Sequence, residues 1–150
     1  MNRDNHEYKE TPSAVIGNAN ADGAAHRGWF IGQFLEEKYG LRSTSVIEVK
    51  WGKHHAGEER SVWGRSEKAT TLCVLFKGKV HIRFPQQECL LSHEGDYVIW
   101  SAGIPHRWTM LEDTIMLTLR WPSSPEDYEE QVQISSDDNF SRNQLDDQDE

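Results

Sequence analysis

Between positions 26 and 122 the apolar residues come in short runs rich in branched and aromatic side chains, and Gly, Pro, Ser or Asp interrupts them about every 8–12 residues. A chain punctuated in this way has no room for long helices and reads as an antiparallel sandwich or barrel. The pattern predicts strands over 29–34, 45–51, 71–76, 79–84, 87–91, 96–100, 106–111 and 114–121, with a helical turn hinted only at 34–39. Two junctions are sharper than the rest. Gly78, between Lys77 and Lys79, and Gly95, between Glu94 and Asp96, each supply the backbone freedom that a tight connection between antiparallel strands requires. The expected chain is a meander without internal repeats.

Charge divides the 150 residues unevenly. From Ser123 to Glu150 ten acidic residues stand against Arg142 alone, so that this stretch carries the whole net charge of −9. Residues 1–122 therefore balance, 15 acidic against 15 basic, and offer no basic excess for a phosphate backbone. Nucleic acid is not expected as a partner. The division predicts three parts: a disordered arm over 1–25, a folded domain over 26–122 and a disordered acidic tail over 123–150. No window approaches the roughly 18 apolar residues that cross a bilayer, so no membrane partner is expected. Cys73 and Cys89 form neither a disulfide framework nor a Cys-x-x-Cys pair, which points to a reducing, cytoplasmic setting.

The segment Gly95-Asp-Tyr-Val-Ile-Trp-Ser-Ala-Gly103-Ile-Pro-His106 resembles the second signature of the cupin superfamily, with Ser101 in place of its proline. The resemblance implies an all-β, cupin-type jelly-roll β-barrel with His106 pointing into its cavity. Val49 to Arg60, Gly95 to Val98 and Leu119 to Pro122 together resemble a group of short bacterial single-domain cupins of unknown function. Some of that group carry the label signal peptidase I, which is not expected to apply here, since a membrane-anchored protease needs an apolar anchor. The first cupin signature supplies two histidines and a glutamate as metal ligands. Set between Gly57 and Gly78, it fits within one residue and places Trp63 and Arg65 at the histidine positions and Thr70 or Thr71 at the glutamate. In that register the standard metal site is degraded.

A competing register draws ligands from His54, His55, Glu58 and Glu59, in which His55 and Glu59 keep the His-x-x-x-Glu spacing. On a strand His54 and His55 face opposite ways, so at most one of them joins His106. Four arginines, Arg60, Arg65, Arg83 and Arg120, form a second feature; a buried guanidinium fork suits a carboxylate or phosphate. The six tryptophans form a third, and Trp63, Trp100 and Trp108 are the candidates for an aromatic cavity wall.

Two readings of the site stay open. The first is a cavity lined by Trp63, Arg65, Trp100, His106, Trp108 and Arg120 that binds a small anionic or sugar-like molecule without metal. The second is a metal-dependent dioxygenase, isomerase or decarboxylase holding Fe, Mn, Ni or Zn on His106 with His54, His55 or Glu59. A non-catalytic regulatory or assembly role for the acidic tail is a third alternative. The cupin resemblance further implies a homodimer, with the 29–34 strand as the exchanged element.

Overall fold

Chain reversal at Gly78 shows how tightly the strands are joined. Its φ of 100° lies in the left-handed region, and a Cβ there would press into the backbone carbonyl of Asp113 and into Thr114. Only glycine passes. The computed structural model describes residues 13–130 and carries ten strands: β1 (Trp29–Ile31), β2 (Glu48–His54), β3 (Glu59–Ser66), β4 (Thr70–Lys77), β5 (Val80–Arg83), β6 (Glu88–Leu91), β7 (Tyr97–Trp100), β8 (His106–Met110), β9 (Thr114–Trp121) and β10 (Tyr128–Glu130). They pair antiparallel into two five-stranded sheets, ordered β1-β2-β9-β4-β7 and β10-β3-β8-β5-β6. Among the described residues the only α-helix is α1 (Ala19–Asp22), and a 3-10 segment at Glu37–Arg42 lies at the expected helical turn. None of these helices is long and apolar enough to cross a membrane.

The sheets face each other over Leu75, Val80, Ile82, Phe84, Leu91, Met110 and Met116, the dry end of the barrel. At the other end the inward residues turn polar. Alternation along β2, β4 and β9 sends Lys50, Thr71, Cys73, Thr118 and Arg120 inward, while Val49, Leu72, Val74, Leu117 and Leu119 face out. The outer face of the first sheet is consequently apolar. In register it carries one row of Ile31, Val49, Leu119, Leu72 and Ile99, and a second of Trp51, Leu117, Val74 and Tyr97.

Eight of the ten strands fall on predicted runs, and β3 and β10 do not. The ordered chain also continues beyond the boundary drawn at Pro122, and α1 precedes the one drawn at His26. The segment after Pro122 is tied down by specific bonds. Ser123 N donates to Ser45 O (2.9 Å), Gln33 N donates to Ser123 Oγ (3.0 Å), and the Asp127 carboxylate accepts from Lys68 N (2.8 Å) and Ala69 N (3.1 Å). Acidity signalled a solvated tail, but one of those acids is a buried cap for the β3–β4 connection. Replacing it, Asp127→Ala, is expected to lower stability by about 1.5–3 kcal/mol, the range for hydrogen bonds to a charged group, read as a lower urea midpoint. The arm before residue 13 and the tail after residue 130 lie outside the described residues.

Candidate functional site

The polar end of the barrel encloses a cavity of about 50 Å³. Lys50 and His54 of β2, Arg60 of β3, Thr71 and Cys73 of β4, Trp100 of β7, His106 and Trp108 of β8, and Thr118 and Arg120 of β9 line it. Outside lies a vestibule of about 400 Å³, walled by Trp29, Phe34, Glu48, Ser66, Arg120 and the segment 124–128. Trp29 and Arg120 belong to both.

A column of alternating rings and cations spans this mouth. The Arg120 guanidinium lies 4.6 Å from the Trp29 ring centre and 4.5 Å from that of Tyr128; Arg60 lies 5.0 Å from the other neighbour of the pair, Tyr128 again, and 6.0 Å from Trp108. Such contacts hold a guanidinium by its faces, and Arg120 Nε on the edge has no hydrogen-bond partner. Arg120 Nη1 also donates to Glu48 Oε1 at 3.3 Å, and Ser123 Oγ donates to Glu48 Oε2 at 2.9 Å.

Tyr128 explains the shape of the mouth. It lies across β3 at Gly64, where any Cβ would collide with the tyrosine hydroxyl. Gly64 pairs with His106, and the Tyr128 ring stands 6.1 Å from the imidazole. A side chain from the end of the described chain thus fills the space that β3 would otherwise supply.

Electrostatically the cavity is positive. No Asp or Glu is among its lining residues, whereas Lys50, Arg60 and Arg120 all are. Burial, then Arg120 and Arg60, lower Lys50 to about 8. Burial and the same two arginines push His106 down to about 3, so its imidazole is neutral at physiological pH. Burial lowers His54 as well, opposed by its bond to Glu58 (Nδ1 to Oε2, 2.9 Å). Burial raises the Cys73 thiol, which makes it an inert wall group in contact with Thr118 Oγ1 at 3.4 Å. Thr71 Oγ1, His54 Nε2 and Arg120 Nε are buried without a hydrogen-bond partner. Buried polar atoms normally have one, so three of them around one cavity leave it with unmet hydrogen-bonding capacity.

Of the residues expected on the cavity wall, Trp100, His106, Trp108 and Arg120 come together there, and Trp63 and Arg65 do not. Trp63 stacks under Arg107 at 5.0 Å, and Arg65 forms an ion pair with Glu67 (Nε to Oε1, 2.6 Å). The cause is a slip of one residue, which in a strand turns every side chain to the opposite face. Arg60 and Gly64 pair with inward Trp108 and His106, so the inward set of β3 is Arg60, Gly64 and Ser66, and the irregularity in the pairing falls between Arg60 and Gly64. Sequence reading missed Lys50, Glu48 and Tyr128.

The metal ligands expected around His106 do not assemble. His54 reaches the cavity, but His55 and Glu59 are exposed, and no group of three His, Cys, Asp or Glu able to hold an ion occurs among the described residues. Three cations lining the cavity add to the mismatch, so the residues present do not fit a divalent metal.

No family model matches this sequence, and no curated protein matches it. Solved structures do match in shape. KdgF from Halomonas sp. aligns at 18% identity and TM-score 0.50, over 54% of this chain and 74% of that one. An uncharacterized conserved protein with a double-stranded β-helix domain from Klebsiella pneumoniae aligns at 17% identity and TM-score 0.51, over 57% and 70%. Shared architecture at such identity speaks for the fold, since one fold hosts many activities. With two five-stranded antiparallel sheets facing each other, this chain has the double-stranded β-helix fold, the jelly-roll barrel that its second-signature segment led one to expect.

Proposed function

We propose that this chain binds a small organic anion, a carboxylate or phosphate, at the mouth of its barrel. The observation that carries the reading is the sign of the inner cavity, lined by Lys50, Arg60 and Arg120 without a single carboxylate. The anion's charged end meets the edge of the stacked Arg120 guanidinium at Nε, and its remaining atoms occupy the vestibule. Neutral His106 and Thr71 then serve as hydrogen-bonding groups, and Trp100 and Trp108 as apolar walls. The two cysteines, both free thiols, support the reducing setting that goes with this reading.

A thermal-shift screen of malonate, citrate, inorganic phosphate, a sugar phosphate and a neutral sugar tests it. Anions at a hundredfold excess over Kd are expected to stabilise the protein by about 2.7 kcal/mol. Arg120→Lys, which loses the planar fork, is expected to weaken the effect, whereas Arg65→Lys, on the far side of β3, leaves it intact. Equal stabilisation of all three proteins, or stabilisation by the neutral sugar alone, overturns the reading.

The homodimer belongs to the same proposal, but with a different contact. Trp29 of β1 is engaged in the ring and cation column, which argues against exchanging that strand. The two uncharged rows on the outer face of the first sheet suit a second copy packed sheet on sheet about a two-fold axis. Sedimentation is expected to show a dimer that Leu117→Lys converts to monomer with an unchanged far-UV spectrum; a wild-type monomer refutes this contact.

A further inference from the structure

We propose that Lys50 is an imine-forming amine, and that the anion bound at this mouth is a 2-oxo acid of two or three carbons. The proposal rests on the anion-binding reading and names the substrate class for it. Lys50 stands on the inner face of β2, paired with Thr118 of β9, and lines the inner cavity. Among the described residues no carboxylate pairs with it. Glu48, two residues back on the same face, is engaged by Arg120 and Ser123. The groups facing the amine are Arg120 and Arg60, with Arg27 adding to their repulsion and Cys73 opposing it; neutral His54 and His106 complete the wall.

Two consequences follow from that enclosure. With its pKa near 8, about one amine in ten is unprotonated at pH 7, against fewer than about one in a thousand for an ordinary lysine. That is the form that attacks carbonyl carbon. The inner cavity's 50 Å³ also has room for about three or four water molecules, so the part of a ligand that reaches Lys50 matches a two- or three-carbon acid. A carboxylate held by the Arg120 guanidinium brings the adjacent carbonyl of a 2-oxo acid beside Lys50, because both side chains line the same small cavity.

The step balances without a further reagent. The Nζ lone pair forms a bond to the carbonyl carbon while the C=O π pair moves onto oxygen, giving a carbinolamine after proton transfer. The two N–H hydrogens of the neutral amine then leave with that oxygen as one water, and a C=N bond joins Lys50 to the acid. No atom is oxidised or reduced.

The full chain is incubated with glyoxylate, and separately with acetaldehyde, in the presence of sodium cyanoborohydride, and labelled lysines are mapped by peptide mass spectrometry. With glyoxylate at pH 7, Lys50 is expected to be labelled at least tenfold faster than any of the other six lysines. Its rate should rise with pH and level off above about 8, and malonate should suppress it. Arg120→Lys is expected to slow labelling by glyoxylate while leaving labelling by neutral acetaldehyde nearly unchanged, a split that general damage to the fold does not produce. Labelling spread evenly over the lysines, or an unlabelled Lys50 in a protein that anions still stabilise, overturns the imine and leaves anion binding standing. Absence of both labelling and stabilisation overturns the two together.

Discussion

Between pH 6.5 and pH 3 the folded state is expected to lose about 4–5 kcal/mol through His106 alone. The unfolded chain takes up a proton on this imidazole near 6.5. The folded chain resists until about 3, because burial, Arg120 and Arg60 all disfavour the cation. Protons bound by the unfolded state and refused by the native one pull the equilibrium toward unfolding as pH falls. Above 6.5 both states are neutral at this site and the effect vanishes. His54, lowered in the same direction, adds to the same limb. Glu58 and Asp96, held low by hydrogen bonds from His54 and from the Ser92 amide respectively, contribute only near and below their ordinary range. Urea denaturation at a series of pH values should therefore show His106→Gln flattening the slope between 6.5 and about 4.5. A slope unchanged in that variant would mean that His106 is solvated. Lys50 acts at the other end. Its charged form is penalised in the folded state at every pH below about 8, and stability should climb by about 3 kcal/mol as both states deprotonate between 8 and 10.5.

Arg120→Met is expected to cost about 3 kcal/mol, and a second change should return most of it. The guanidinium is held by the faces of Trp29 and Tyr128 and by Glu48, and both members of the ion pair are largely buried, at 15% and 16% exposure. Removing one partner of such a pair leaves an uncompensated charge in a poorly solvated place, the expensive half of a buried ion pair. Methionine keeps the length and the apolar contact with the rings, so the loss reports the stranded carboxylate of Glu48. In Glu48→Gln/Arg120→Met that carboxylate is gone, and the coupling in the double-mutant cycle should be at least about 1.5 kcal/mol. Additive losses would place the pair in the regime of exposed salt bridges. Anion stabilisation should be lost in both variants, since Arg120 Nε is lost in each.

The legible part of this fold was the part governed by turns. Gly78 and Gly95 announced their connections because only glycine takes those backbone angles without strain, and the flanking branched runs fixed β4, β5, β6 and β7. β3 went unseen for a reason tied to function: its inward positions are Arg60, Gly64 and Ser66, so the apolar alternation that identifies a strand is missing. β2 posed a different problem. Glu48, Lys50, Gly52 and His54 alternate perfectly with Val49 and Trp51, yet alternation reveals two faces and does not reveal which one is inside. The usual assumption sends charge to solvent, whereas here the charged face is the cavity and the apolar face looks out. His106 and Arg120 were recognisable, one from the spacing after Gly95 and Gly103, the other from a lone guanidinium in an apolar strand. Tyr128 carried no signal at all, because its role depends on the bare backbone of a glycine 64 residues earlier.

The dry end and the charged mouth of this barrel share few residues, Ile82 and Met116 among them. The packing of one sheet on the other is thus concentrated in one set of side chains and recognition in another, and Arg120 with Glu48 is the part of the mouth on which stability also depends. Under selection such a partition gives the two properties separate mutational routes. Changes at Lys50, Arg60, Thr71 or Tyr128 can redirect what the mouth accepts while Leu75, Val80 and Met110 keep the sheets together, so a lineage built on this scaffold can change ligands without first becoming unstable.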